Sequence, residues 1–285
     1  MNQSKNYVAP GTVSNILWHF TGGPKWDDVK KKQLTIKKPD IEAFNNLKSI
    51  LKTKELRLGS YKEIIKYVIP KQSIDDLDQM KKMVKKNEHK IIESNPICCV
   101  AEIPIQHLSF HAKRYGKFAI GFYRDSLIKN AFRPVMYSMS NDTLIYDLIT
   151  AYKQIILIKN DMKSLPATID EYFIPNPIKR NPRSMKILRS IILNHAKSIE
   201  YMEKVISIYL SYIKTITKRE LKTTYCEREW RSLTTYNFIF DDVAFIIIPK
   251  AYFNKDYDKE IVDSSEKLDI PRSIPIIPWE DLIEE

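Results

Sequence analysis

The sequence contains few of the residues that mark a secreted or membrane-bound protein. Of its 285 residues only three are cysteines, Cys98, Cys99 and Cys226, and an odd number with two adjacent members is a poor framework for disulfides. No apolar run approaches the ~18 residues that a membrane-spanning helix needs, and the polar N-terminus lacks the pattern of a signal peptide. We therefore expect a reducing, cytoplasmic location and no membrane partner.

The sequence also lacks the short motifs of common enzyme classes. It contains no P-loop, no G-x-G-x-x-G fingerprint, no G-x-S-x-G elbow and no H-E-x-x-H, so the usual kinase, dehydrogenase and hydrolase chemistries have no motif here. His107 and His111 stand four residues apart near two cysteines, but no C-x-x-C pair accompanies them, and we expect no metal site. The stretch HLSFHAKRYG is instead expected to be a connector, in which Arg114 and Tyr115 offer contacts to an anionic ligand.

The chain carries an excess of positive charge. It has 46 lysines and arginines against 35 aspartates and glutamates, which gives a formal net charge of +11. A basic surface attracts polyanions, so nucleic acid is a candidate partner. The abundance of lysine, isoleucine, asparagine and tyrosine is also what an AT-rich genome encodes, and no aromatic-plus-basic motif accompanies the charge. Composition therefore leaves both explanations open.

Strand-like segments at both ends of the chain surround a helical middle. The predicted strands are NILWHFT, PICCVAEIPI, KFAIGFY, FRPVMYS, YCEREWRSL, YNFIF, VAFIIIP and the extended tail PRSIPIIP. ELRLGS is predicted to be a short strand or a turn. The predicted helices are residues 40–56 with Asp40 as N-cap, the charged segment Tyr61 to Asn95, DTLIYDLITAYKQIILI, and a long helix from Pro182 to about Lys218. This order favours an α+β fold with one mixed sheet. We expect a single domain over residues 1–285, with a helical insertion at 141–220.

The long helix after Pro182 has an extended apolar pattern. Residues at steps of three and four are Leu188, Ile191, Ile192, His195, Ile199, Met202, Ile206, Tyr209, Ile213 and Ile216. Such a helix is much longer than the average of ~11–12 residues. It is either a packing spine or a segment that faces a partner, and the packing spine is the interpretation that we favour.

The stretch WHFTGG, from Trp18 to Gly23, is the first candidate for a functional site. The chain has only six glycines, and glycine is used where the backbone bends or approaches another group closely. A strand histidine, a hydroxyl two residues later and a glycine turn are suited to presenting an imidazole and backbone amides to a ribose. The alternative is that His19 is a core histidine with its hydrogen bonds satisfied.

An extended conformation of YCEREWRSL would place two carboxylates side by side. Alternate residues of a strand share a face, so Tyr225, Glu227, Glu229 and Arg231 are expected on one side. Two carboxylates ~7 Å apart repel each other, and such crowding suits acid–base chemistry or the binding of a ligand hydroxyl. The alternative is an exposed strand whose charges Arg228 and Arg231 neutralise.

Several of these segments together resemble the AbiGi family. They are HFTGGPKW, CCVAEIPIQHLSFHAKRYGKFAIGF, FRPVMYS, YCEREWRS and PRSIPIIPWEDLIE, and the likeness extends from about Trp18 to Glu284. Members of that family are bacterial abortive-infection proteins, described as the antitoxin of a two-gene phage-resistance system. The resemblance implies a role in phage defence, with a toxin encoded by the neighbouring gene as partner.

A shorter likeness concerns the DarT-type ADP-ribosyltransferases. WHFT, a helix with NLKSIL and then LRL resemble the entry of those enzymes, which implies a similar sheet, NAD as substrate, and His19 facing Glu229 across one cleft. The residues implied for catalysis are Glu229, Glu227 as the competing glutamate, and His19. Those implied for NAD binding are His19, Thr21, Arg114, Tyr115, Tyr225 and Arg231. The alternative is a non-catalytic antitoxin or regulator that binds a partner toxin or DNA.

Overall fold

The computed structural model describes residues 14–27, 29, 32–59, 62–67, 90–173, 182–252 and 270–282. The strands within them are β1 (Ile16–Phe20), β2 (Pro24–Asp27), β3 (Lys32–Lys37), β4 (Glu55–Leu56), β5 (Lys62–Tyr67), β6 (Lys90–Pro96), β7 (Cys98–Ala101), β8 (Ala119–Tyr123), β9 (Arg133–Pro134), β10 (Met136–Met139), β11 (Ile213–Ile216), β12 (Glu229–Ser232), β13 (Tyr236–Asn237), β14 (Val243–Ile248) and β15 (Ile276–Pro278). The α-helices are α1 (Asp40–Thr53), α2 (Leu108–Tyr115), α3 (Arg124–Lys129), α4 (Thr143–Phe173) and α5 (Pro182–Ser211). Short 3-10 turns lie at Ile105–His107, Glu220–Lys222, Tyr225–Glu227, Phe240–Asp242, Lys250–Tyr252 and Trp279–Asp281.

The chain divides into two compact units. The first comprises residues 1–64, 96–137 and 216–285, and the second comprises residues 65–95 and 138–215. Residues 138–215 of the second unit overlap the helical insertion predicted at 141–220, and the predicted domain organisation stays a prediction. All the residues predicted for the functional site belong to the first unit.

A seven-stranded sheet forms the centre of the first unit. Its strand order is β15–β14–β8–β1–β7–β12–β9. β14 and β15 pair in parallel, whereas the other neighbours pair antiparallel. Because β1 comes from the beginning of the chain and β12 and β14 come from its end, distant segments assemble this sheet. The predicted α+β fold around a mixed sheet is confirmed.

The two faces of the sheet pack against different helices. Leu17 of β1 belongs to a core cluster with Leu47 of α1. Trp18, the next residue, belongs to a second cluster with Ala112 of α2. We call these the α1 cluster and the α2 cluster. Successive residues of a strand point to opposite faces, so the two clusters define an α1 face and an α2 face of the sheet.

The helix α1 has the buried face that its apolar spacing predicts. Its buried residues are Ala43, Phe44, Leu47 and Leu51. They recur at steps of three and four, which places them on one side of a helix. The N-cap is Pro39 rather than the predicted Asp40, which is the first helical residue, where its negative charge is favourable to the helix dipole. The helix ends where Lys54 adopts the left-handed conformation at φ 54°.

The second unit contains the long helices α4 and α5, which pack against each other. Its buried core residues are Ile65, Tyr67, Ile145, Ile149, Leu210 and Ile213. An ion pair between Lys159 of α4 and Glu203 of α5 joins the two helices. The helix α5 ends at Ser211 and β11 follows, so the predicted continuation to about Lys218 is wrong. The β-branched sequence of β11, IKTI, favours the strand.

Two other predictions of local structure are wrong. The segment from Tyr61 to Asn95 was expected to be helical, but its ends form β5 and β6, which pair with each other; residues 68–89 lie outside the described residues. The stretch HLSFHAKRYG, expected to be a connector, contains α2. Leu108, His111 and Ala112 are buried there at helical spacing, so packing against the sheet stabilises this short helix.

Candidate functional site

His19 lies on β1, on the α1 face of the sheet. This placement follows from strand alternation, because Leu17 belongs to the α1 cluster and Trp18 to the α2 cluster. Its Nδ1 lies 3.0 Å from the carbonyl oxygen of Cys99 on β7, and a carbonyl only accepts, so Nδ1 carries the proton and donates it. Burial lowers the pKa of His19, and the imidazole is therefore neutral at neutral pH.

Thr21 and the two glycines after it take part in packing. The hydroxyl of Thr21 donates a hydrogen bond of 2.7 Å to the carbonyl oxygen of Ala43 in α1. A Cβ atom at Gly22 would lie 2.8 Å from the carbonyl oxygen of Tyr115, and a Cβ atom at Gly23 would lie 2.9 Å from the ring of the same tyrosine. The glycine pair therefore lets the chain after β1 approach the end of α2 closely.

The register of three neighbouring strands separates His19 from Glu229. Trp18 of β1 and Glu229 of β12 both stand opposite Ala101 of β7, so these three residues form a row on the α2 face. Trp230, which follows Glu229, packs against the α1 cluster instead. His19 and Glu229 therefore lie on opposite faces of the sheet, and the expected cleft in which they face each other is not found.

The stretch YCEREWRSL is extended only from Glu229 onward. Tyr225–Glu227 forms a 3-10 turn, and Arg228 after it has a left-handed backbone at φ 42°. The prediction of a continuous strand is therefore wrong for its first half, because the turn breaks the alternation that would place both glutamates on one face. Glu229 and Arg231 do share the α2 face, as predicted for a strand.

Arg231 is fully buried and lies between two carboxylates. Its Nε donates a hydrogen bond of 2.8 Å to Glu229, and its Nη2 forms an ion pair with Glu63 of β5. Burial lowers the pKa of Arg231, but the two carboxylates raise it by more, so the guanidinium stays charged. Cys99 stands opposite Arg231 on β7, and burial raises the pKa of its thiol. We call Arg231, Glu229 and Glu63 the Arg231 triad.

A second cluster forms where the turn before β12 meets the end of α2. Oε1 of Glu227 accepts hydrogen bonds from Nη1 of Arg114 at 3.1 Å and from the hydroxyl of Tyr115 at 3.3 Å. The Tyr115 ring stacks on the imidazole of His111 with centroids 4.2 Å apart, and Phe20 of β1 contacts the same imidazole. Glu227 is buried, whereas 47% of the Arg114 side chain is exposed. The structure thus brings together three predicted site residues, Glu227, Arg114 and Tyr115. We call these three residues and His111 the Glu227 cluster.

Sequence reasoning misses Glu102 and Tyr137, which organise the same end of the sheet. Glu102 accepts hydrogen bonds from Nε1 of Trp230 at 3.0 Å and from Nη2 of Arg228 at 3.3 Å. The hydroxyl of Tyr137 accepts one of 3.0 Å from the first backbone N–H of β12. Tyr225 is exposed, and its ring contacts that of Tyr137. No local pattern links Glu102 with Arg228, because they are 126 residues apart in the sequence.

Two kinds of site are absent from the part of the chain that the structure describes. No group of three or more histidine, cysteine, aspartate or glutamate residues there is arranged to hold a metal ion. None of the helices there is both long and apolar enough to cross a membrane.

Comparison with known proteins assigns a family to this chain. Neither the search of the curated proteins nor the search of the solved structures found a match, and the DarT likeness stays a prediction. A family model described as "Putative abortive phage resistance protein AbiGi, antitoxin" matches residues 45–280. The matched segment includes the Arg231 triad and the Glu227 cluster. The strand β1, which carries His19, and Thr21 directly after it precede the matched segment. Since the match covers well over half of the sequence, this chain belongs to the AbiGi family of abortive phage resistance proteins.

Proposed function

We propose that this protein is the antitoxin of a phage-defence pair and that it acts by binding a partner protein. Membership of the AbiGi family supports a role in phage defence, and the description of that family includes the word antitoxin. An antitoxin that neutralises its toxin by forming a complex needs a stable scaffold and a binding surface. It needs no catalytic group.

The observation that carries this proposal is that each candidate carboxylate has an arginine partner. The pairs are Glu229–Arg231, Glu227–Arg114 and Glu102–Arg228. A general base must reach its substrate with a free lone pair, whereas these carboxylates are buried and accept hydrogen bonds from arginine side chains. The imidazole of His19 lies on the α1 face and is hydrogen-bonded to the backbone. These contacts favour a structural role for the charged residues.

Co-expression with the product of the neighbouring gene tests the proposal. That product alone is expected to arrest growth, and the wild-type protein is expected to restore growth and to co-purify with it. Because the role is non-catalytic, Glu227→Gln and Glu229→Gln variants that keep the wild-type circular dichroism spectrum are expected to protect equally well. A neighbouring product that neither arrests growth nor binds would contradict the antitoxin role. A variant that folds and binds but no longer protects would contradict the non-catalytic mechanism.

A second candidate function, ADP-ribosyl transfer from NAD, is favoured by the Glu227 cluster. Arg114 offers a half-exposed cation for a pyrophosphate, and the stacked rings of Tyr115 and His111 offer an aromatic surface for nicotinamide. As nicotinamide leaves, positive charge develops on the ribose, and the carboxylate of Glu227 would stabilise this charge. His19 has no part in this version, because it lies on the opposite face of the sheet.

Calorimetric titration with NAD and an assay of nicotinamide release test this second function. Glu227→Gln and Arg114→Gln are expected to abolish both binding and release. Arg228→Gln is the matched control, because it removes a comparable cation from Glu102, and it is expected to leave both unchanged. Absence of NAD binding by the wild-type protein would refute the transferase function and leave the partner-binding proposal intact.

A further inference from the structure

The helix α5 carries an apolar seam that faces solvent. Residues at alternating steps of four and three along three heptads are Ile187, Ile191, Asn194, Ser198, Tyr201, Val205 and Ile208. We call these seven residues the α5 seam. All except the half-buried Val205 are exposed, and the exposed fraction reaches 54% for Ile187 and 69% for Tyr201. Five of the seven are apolar, and a mostly apolar 3.5-residue repeat of this kind is typical of a helix that pairs with another helix.

The seam is distinct from the face of α5 that packs inside the second unit. Ile199 and Leu210 are buried, and Glu203 forms the ion pair with Lys159 of α4. At 3.6 residues per turn, this packed face lies roughly 150° around the helix from the seam. The predicted packing spine therefore has a second apolar side, and the described residues leave that side uncovered.

Two lysines border one edge of the seam. Lys197 and Lys204 are seven residues apart, at the flanking position that pairs with charges of the opposing helix in a coiled coil. Both are exposed, and neither has an ion-pair partner among the described residues. The opposite edge carries His195, Met202 and Tyr209, which bring no negative charge. The seam is thus an apolar strip with positive charge along one side.

This charge pattern disfavours a second copy of the chain as the occupant. In an antiparallel pair of seams, the lysine edges would face each other and repel. In a parallel pair, Lys197 would face Met202 of the other copy and Lys204 would face its Tyr209. Neither arrangement supplies a carboxylate for the lysines.

We propose that the α5 seam docks an amphipathic helix of the partner toxin, and that acidic residues flank the apolar stripe of this helix. The docking site rests on the proposed antitoxin function. From Ile187 to Ile208 the seam rises about 32 Å, which matches a partner helix of about 22 residues. Asn194 and Ser198 interrupt the apolar seam at its centre, where a polar residue of the partner helix would fix the register.

Binding of the neighbouring gene product to purified variants tests the docking site. The seam variant Ile191→Ser/Tyr201→Ser is expected to bind at least about tenfold more weakly, because it removes the two apolar anchors on either side of the polar centre. The charge variant Lys197→Glu/Lys204→Glu is expected to weaken binding by about the same factor, since it repels an acidic helix. Its binding is also expected to depend less on salt than that of the wild type.

Matched controls come from exposed residues of the first unit. Ile36→Ser removes another exposed isoleucine, and Lys129→Glu reverses the charge of another exposed lysine; both are expected to bind as the wild type does. If the wild type binds and the seam and charge variants bind equally well, the docking site is wrong while the antitoxin function stands. If the wild type does not bind at all, the antitoxin function itself fails.

Two designed peptides test the seam independently of the toxin. Both contain three heptads with leucine at the seam positions, and one carries glutamate and the other lysine at the flanking positions. The wild-type protein is expected to bind the acidic peptide and to show no binding to the basic one. Equal binding of the two peptides, or binding of neither, would overturn the proposed recognition. Light scattering that shows a dimer, converted to a monomer by Ile191→Ser/Tyr201→Ser, would assign the seam to a second copy instead.

Discussion

Replacing Arg231 by methionine removes the cation that Glu229 and Glu63 share. Arg231 has no exposed side-chain surface, and only 8% of the Glu229 side chain and 10% of the Glu63 side chain are exposed. Methionine is comparable in length but uncharged, so two buried carboxylates lose the cation that lies between them. Removing one partner of a buried ion pair costs about 3–5 kcal/mol. Because a whole domain is stable by only ~5–15 kcal/mol, we expect Arg231→Met to lose much of its free energy of unfolding.

A compensated variant separates the effect of charge from that of packing. The triple variant Glu63→Gln/Glu229→Gln/Arg231→Met removes all three charges while keeping the side-chain lengths similar. It is expected to recover most of the lost free energy, because buried neutral amides cost far less than unpaired buried charges. Arg231→Lys keeps the charge, but an ammonium group lacks the planar fork that contacts two carboxylates. Its stability is expected to lie between those of the wild type and the methionine variant.

Urea unfolding near neutral pH measures these differences. Circular dichroism reports the whole chain, and tryptophan fluorescence reports the sheet through Trp18 and Trp230. A loss below about 1 kcal/mol for Arg231→Met is the range of an exposed ion pair, and it would refute a buried, coupled triad. A triple variant no more stable than Arg231→Met would show that lost packing, not unpaired charge, is responsible.

Three further outcomes concern the glycine turn, the strand histidine and the thiols. Gly22→Ala is expected to lower the free energy of unfolding by about 1–3 kcal/mol, because the new Cβ would lie 2.8 Å from the carbonyl oxygen of Tyr115; an unchanged urea midpoint would contradict this close approach. Burial lowers the pKa of His19 from its ordinary value of 6.5, so the unfolded chain binds a proton first as the pH falls. Wild-type stability is therefore expected to decline below about pH 6.5 more steeply than that of His19→Gln, and equal slopes in parallel unfolding series would argue against the buried imidazole. A thiol reagent is expected to modify the exposed Cys226 rapidly and Cys98 only after unfolding, because burial raises the pKa of Cys98 to about 12. Rapid labelling that persists in Cys226→Ser would show that another thiol is accessible.

Local sequence patterns predict most elements of the sheet and its helices. The apolar spacing of residues 40–56 predicts a helix, of which residues 40–53 form α1, because burial on one side of a helix follows its 3.6-residue period. The strands β8 and β14 are short apolar runs of the length typical of buried strands. The pattern fails in YCEREWRSL, where Arg228 at φ 42° ends a turn and begins a strand. Nothing in the residue types of that stretch marks this change of conformation.

The arrangement of the site depends on long-range pairing, which a single sequence does not show. Glu63 and Arg231 are 168 residues apart in the chain, and no local periodicity relates them. The face on which His19 lies depends on the register of β1 with β7, since a shift of one residue exchanges the two faces. The helix α5 shows the same limit, because steps of three and four identify a helix without separating the buried Ile199 from the exposed Ile191.

The strand β15 has a consequence for shortened versions of this protein. It covers the edge of β14, whose sequence VAFIII is almost entirely apolar, and Trp279 directly after it is buried in the α2 cluster. Without residues 270–282, β14 would become an apolar edge strand with unpaired backbone groups. Exposed edges of this kind pair with strands of other molecules and cause aggregation. Deletions at this end should therefore yield insoluble material even where every charged cluster is left intact.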